Sequence, residues 1–185
     1  MSDELRRRLR GLPVFPEQLP ELDLKSSPAQ PGELFLDWLE QAISAGLLQP
    51  HAFSLATAAV TGAPSSRMLI LKNLEQDRWY FATSRLSRKG LELAQNPQAA
   101  MNFYHAEPGR QVRVCGPVRL LSAEASAQDW QERPSSDGAK NPDWQLYALE
   151  ALEVEFWQAR HDRQHRRLIY RRDAPDAAWS STPHS

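Results

Sequence analysis

Four short segments carry side chains suited to holding an anion: Arg67-Met-Leu-Ile-Leu-Lys72, Ser87-Arg88-Lys89, Arg110-Gln111, and Glu155-Phe-Trp157 followed by Arg163-Gln-His165-Arg-Arg167. Guanidinium forks and lysine ammonium groups match phosphate and carboxylate oxygens, so the chemistry on offer is anion recognition. In the first segment a period of two sends Arg67, Leu69 and Leu71 to one face and Met68, Ile70 and Lys72 to the other. Its two cations therefore cannot serve one anion from the same face. Alone, the run reads as a core strand bracketed by two charges. Ser87-Arg88-Lys89 opens an expected helix, where unpaired N–H groups, the positive helix end and two cations can converge on one phosphate. The same three residues also fit a capping serine followed by exposed bases.

The elements that must position these groups follow from periodicity and breakers. From Glu33, residues Phe35, Trp38, Leu39, Ala42 and Ile43 recur at helical spacing between Pro31-Gly32 and Gly46. Short apolar runs at 53–60, 67–72, 79–83, 99–104 and 111–121, separated by turn signals such as Gly62-Ala-Pro64, read as strands of an antiparallel sheet closing into a small barrel. The strand Met101-Asn-Phe-Tyr104 is expected beside Trp79 to Thr83. Two helices interrupt the series. One runs from Arg88 to Gln95 and stops at Asn96-Pro97; the other, from Ala123 to Glu132, is capped by Ser122. Strand character resumes at 149–157 and 168–170. Five prolines among residues 1–32 predict an extended arm, lying over the body or hanging free, residues 33–172 a single domain, and residues 173–185 a flexible tail.

Composition bounds the function. A net charge of −1 excludes a globally basic nucleic-acid binder, so any phosphate site is local. The single cysteine, Cys115, excludes an internal disulfide framework and reads as a small buried hydrophobe. There is no Cys/His cluster at zinc spacing, hence no metal site is expected. Met1 to Leu12 is charged rather than signal-like, and no run approaches the roughly 20 apolar residues of a membrane span. A cytoplasmic protein without membrane contact is expected.

Taken together, the order and spacing of these segments from about Pro31 to Tyr170 resemble the pyridoxamine 5'-phosphate oxidases. The resemblance implies a mainly β fold with flanking helices, the FMN-binding split β-barrel, assembled as a homodimer with shared sites. It implies FMN as cofactor, with the strand Arg67, Met68, Leu69, Ile70, Leu71 and Lys72 along the flavin and Ala82-Thr83 touching it. Arg88 and Lys89 would hold the FMN phosphate and Gln111 the isoalloxazine, while Trp157 and Arg167 reach across the dimer interface. For a phosphorylated pyridine substrate it implies Lys72 and Arg133 at the phosphate, and Arg163 and His165 over the ring as the catalytic pair. Arg163-Gln-His165-Arg-Arg167 matches the family's Arg-x-His-x-Arg element, and Trp144 stands at the usual distance before Glu155-Phe-Trp157. The implied reaction oxidises pyridoxine or pyridoxamine 5'-phosphate to pyridoxal 5'-phosphate with dioxygen as acceptor.

Two departures touch the substrate half. Asp129 stands where the family has a Tyr, and Asp137 where it has a Ser that Ser136 replaces after a one-residue slip. A carboxylate facing a phosphate is repulsive. Only nine residues separate Pro134 from Trp144, where the family has several tens. These departures leave open a split-barrel flavin oxidase on another substrate, as in phenazine biosynthesis, or a non-catalytic flavin or pyridoxal phosphate binding protein.

Overall fold

A computed structural model describes residues 3–134 and 137–184. Helix α1 (Asp3–Arg10) precedes α2 (Pro31–Ser44), after which strands dominate: β1 (Ala52–Ala58), β2 (Pro64–Ile70), β3 (Asn73–Glu75) and β4 (Arg78–Ser84). Helix α3 (Arg88–Gln95) leads to β5 (Gln98–His105) and β6 (Arg110–Leu120), and α4 (Ala123–Gln131) to β7 (Trp144–Glu150), β8 (Glu153–Gln158), β9 (Arg166–Arg171) and β10 (Ser180–His184). Every strand pairing is antiparallel. The main path runs β10-β9-β8-β6-β5-β1-β2, while β7, β4 and β3 branch from β6.

Strand β6 is the pivot. Its first half, Arg110–Cys115, pairs with β8, and Val118–Leu120 pairs with β7. Gly116 lies at the changeover, where a Cβ would collide with the carbonyl oxygen of Glu150. Only glycine lets the β7–β8 corner approach this closely.

The core follows from alternation. On β1, β6 and β8 every second residue is buried, and Phe53, Leu55, Trp79, Phe81, Met101, Val114 and Phe156 are fully enclosed. Helix α2 lays Leu34, Phe35 and Trp38 on this surface, with Phe35 edge-on to Trp79 at 4.5 Å. Each large side chain so buried contributes roughly 1.5–3 kcal/mol.

The split-barrel expectation holds, and so do both interrupting helices. Ser87 and Ser122 cap them, accepting from the N–H of Gly90 and Ala125. Other expectations give way. Residues 3–10 are helical rather than extended, with Asp3 and Glu4 in the first turn and Arg7, Arg8 and Arg10 in the last, matching the helix dipole. The following arm docks on the body: Leu22 is 2% exposed, Arg166 donates to its carbonyl, and Tyr170 donates to that of Pro28. Part of the tail expected to be flexible forms β10 against β9, held by the Trp179 indole on Asp77. The strand expected over 149–157 is two strands, broken at Ala151-Leu152 by the corner at Gly116. Met101 to Tyr104 does not lie beside Trp79 to Thr83; β5 sits between β1 and β6, and β4 pairs with β3 and β7. Alternation dictates which face a strand buries and leaves its partner open. Cys115 is half-buried rather than enclosed, and burial pushes its thiol pKa up.

Candidate functional site

The expected site residues fall into three groups. The first gathers at the start of α3. Arg67, in the middle of edge strand β2, points to the core side and reaches Thr57 Oγ1 and Ser65 Oγ, both at 2.5 Å. All three converge on Glu92, whose Oε2 accepts from Thr57 at 2.5 Å and Ser65 at 2.6 Å and lies 3.4 Å from Arg67 Nη2. Its Oε1 accepts from Arg88 Nε at 2.8 Å. The Ser65 and Thr57 hydroxyls, then Arg88, hold the Glu92 carboxyl down to a pKa of about 2. Lys89 Nζ lies 3.3 Å from Ser87 Oγ, and its pKa is lowered first by burial and then by the charge of Arg67. Three cations against one carboxylate leave a net charge of two positive at a helix N-terminus. Ala82-Thr83 ends beside it, with Thr83 Oγ1 3.5 Å from Ser87 Oγ.

Gln111, Trp157 and Arg167 form the second group. They sit directly opposite one another across β6, β8 and β9, so they share one face. That face is the outer one: register partners carry it through Arg113, Asn102 and Ser54 to Met68 on β2. Met68 and Ile70 there are 65% and 42% exposed. Gln111 Nε2 donates to Asn102 Oδ1 at 2.8 Å. The His165 ring packs 4.7 Å from Trp157, with Phe15 of the arm 6.5 Å away. His165 Nδ1 accepts from the Arg160 N–H at 3.0 Å, so its neutral form carries the proton on Nε2. Arg163 is exposed and holds φ at 61°, a left-handed backbone that non-glycine residues adopt chiefly at special sites.

The third group replaces the expected phosphate pocket. Lys72, just past β2, lies 3.4 Å from Asp129 Oδ1, and Asp129 Oδ2 accepts from the Trp144 indole at 2.7 Å. Arg133 lies over the rings of Trp130 and Trp144, 4.6 and 4.7 Å from their centroids. Asp129 therefore faces Lys72 rather than open space. Ser136 falls outside the described residues. Leu69 is half-buried on the Arg67 side of β2, and Leu71 donates its N–H to the His51 carbonyl.

A single chain thus brings Arg67, Arg88 and Lys89 together and separately Gln111, Trp157 and Arg167, on opposite faces of the sheet. Sequence reasoning missed Glu92, Thr57 and Ser65. The spacing of Arg88 and Glu92, four apart on one helix, was the available signal.

A family model described as pyridoxamine 5'-phosphate oxidase matches residues 39–158, and one for the pyridoxine 5'-phosphate oxidase C-terminal dimerisation region matches residues 144–182. A pyridoxine/pyridoxamine 5'-phosphate oxidase of Salinibacter ruber is 36% identical, covering 81% of this chain and 86% of the relative. One from Deinococcus deserti is 36% identical over 88% of this chain and 90% of its own. Among solved structures, PhzG from Burkholderia lata 383, in complex with tetrahydrophenazine-1-carboxylic acid, superposes with a TM-score of 0.82 at 28% identity over 90% of this chain and 98% of that one. A pyridoxamine 5'-phosphate oxidase-related, FMN-binding protein from Nostoc punctiforme shares the fold, with a TM-score of 0.72 at 21% identity over 84% of this chain and 97% of that one. The chain belongs to the pyridoxamine 5'-phosphate oxidase family.

Proposed function

We propose that the chain is an FMN-dependent oxidase that converts pyridoxine or pyridoxamine 5'-phosphate to pyridoxal 5'-phosphate, with dioxygen as acceptor, as a cytoplasmic homodimer with two shared sites. The observation that carries the reading is the cluster of Arg67, Arg88 and Lys89 around Glu92, whose net charge matches a phosphate dianion. Lys89 is destabilised there by its own burial and by Arg67, and a bound phosphate relieves the second effect. In this reading the same residues hold the FMN phosphate, while the β2 backbone from Arg67 to Lys72 and the Ala82-Thr83 pair flank the flavin. Gln111, Trp157 and Arg167 of the other chain contact the ring system. When bound, FMN supplies the hydride acceptance and the reoxidation by dioxygen.

The protein's own residues then orient the donor. Lys72 and Arg133 take one end of it, and Arg163 and His165 lie over its ring. The Arg160 N–H engages His165 Nδ1, which leaves Nε2–H as the ring donor available to a substrate. Among the described residues no helix is long and apolar enough to cross a membrane.

The test is anaerobic reduction. With FMN bound, pyridoxine 5'-phosphate is expected to bleach the flavin band near 450 nm, and admitting air to restore it. A flavin that binds and stays oxidised with every donor overturns the oxidase reading in favour of a binding protein.

A further inference from the structure

Resting on that reading of Lys72 and Arg133 as the substrate's anchor, we propose that Asp129 is a specificity-determining residue. It lowers the positive charge at this end of the site, so that the phosphate of the donor is only weakly preferred and unphosphorylated forms of the same ring are accepted as well. The chemical class is a pyridine-ring alcohol or amine, with or without its phosphate.

Three observations carry this. The ammonium of Lys72 is 3.4 Å from Asp129 Oδ1, and the two side chains are only 22% and 14% exposed, so water screens their attraction poorly. The other carboxylate oxygen is fixed by the Trp144 indole at 2.7 Å, which keeps Asp129 on Lys72. Arg133, the remaining cation, lies over Trp130 and Trp144, whose π faces already stabilise its charge. Asp129 also sits in the last turn of α4, where the helix dipole disfavours a carboxylate. Lys72 is the group that compensates it. Two cations against one carboxylate leave a single positive charge, the complement of a monoanion and a poor match for a dianion.

The experiment compares the phosphorylated and unphosphorylated forms of one ring. Dissociation constants of pyridoxal 5'-phosphate and pyridoxal, and kcat/KM for pyridoxine 5'-phosphate and pyridoxine, are measured on the FMN-loaded wild type, Asp129→Asn and Asp129→Asn/Lys72→Met. The amide oxygen of Asn still accepts from Trp144, so the first variant removes charge and keeps position. The wild type is expected to favour the phosphorylated form by less than roughly tenfold, and Asp129→Asn to raise that preference by roughly tenfold or more, a gain lost again in the double variant. A wild-type preference above roughly a hundredfold overturns the proposal without any variant, and so does an unchanged ratio in a folded Asp129→Asn protein. If neither donor reduces the flavin, the oxidase reading fails while the two aldehyde affinities still decide the role of Asp129.

Discussion

Glu92 shows how a site for an anion comes to be organised by a carboxylate. It ties β1 through Thr57, β2 through Ser65 and Arg67, and α3 through Arg88, so the cations that would meet a phosphate are oriented before it arrives. Replacement of Glu92 by Gln leaves one acceptor for four donors. The variant is expected to bind FMN roughly tenfold more weakly while binding riboflavin, which lacks the phosphate, as the wild type does. Flavin fluorescence quenching reads both; equal losses for the two ligands would reduce Glu92 to a folding residue. The same group gives a pH signature. Its pKa is depressed from 4.5 to about 2 in the folded chain, so its stabilisation is complete above 4.5 and is lost as pH falls toward 2. Denaturation midpoints of the wild type should drop more steeply than those of Glu92→Gln in that window. The sequence displayed the Arg88–Glu92 spacing and the cations. It did not display Thr57 and Ser65, because their place beside Glu92 depends on α3 packing across β1.

At the level of elements, what alternation and turn signals made legible was the existence and facing of most strands; what they left open was connectivity. The runs 53–60, 79–83 and 99–104 correspond to β1, β4 and β5, yet β4 lies across from β7 because β6 changes partners at Gly116. Nothing in a run of apolar residues marks a strand that serves two sheets, except the glycine itself. Gly116→Ala would push a methyl group into the Glu150 backbone, which cannot swing aside as a side chain can. The expected cost is about 3 kcal/mol, at the upper end for overpacking, read as a lowered urea midpoint. An unchanged midpoint would mean that the β7–β8 corner yields freely. The short strand β3 and the tail strand β10 were invisible because pairing to β4 and β9, rather than their own composition, makes them strands.

Across the whole molecule the two halves of the expected flavin site do not meet within one chain. Arg67 is on the core side of β2, while Gln111, Trp157 and Arg167 line the outer face around β8, four strand spacings away or about 19 Å along the sheet. Met68 and Ile70 leave an apolar strip on that outer face at the sheet edge, a surface that a second copy would cover. In the proposed dimer, a two-fold pairing through this face would set the Gln111 row of one chain against strand β2 of the other, giving two sites, each drawn from both chains. The arrangement predicts complementation. Lys89→Met removes a phosphate contact from one half-site and Arg167→Met a ring contact from the other, so homodimers of either variant should be inactive. When the two are mixed and allowed to exchange, half the dimers are hybrids. Each hybrid carries one site with both defects and one with neither, so activity should return to roughly a quarter of the wild-type value. Activity and bound FMN measured on the exchanged mixture, with exchange followed by mass, decide the matter. If exchange is complete and activity stays at zero, each site is built within one chain and the outer face serves another purpose.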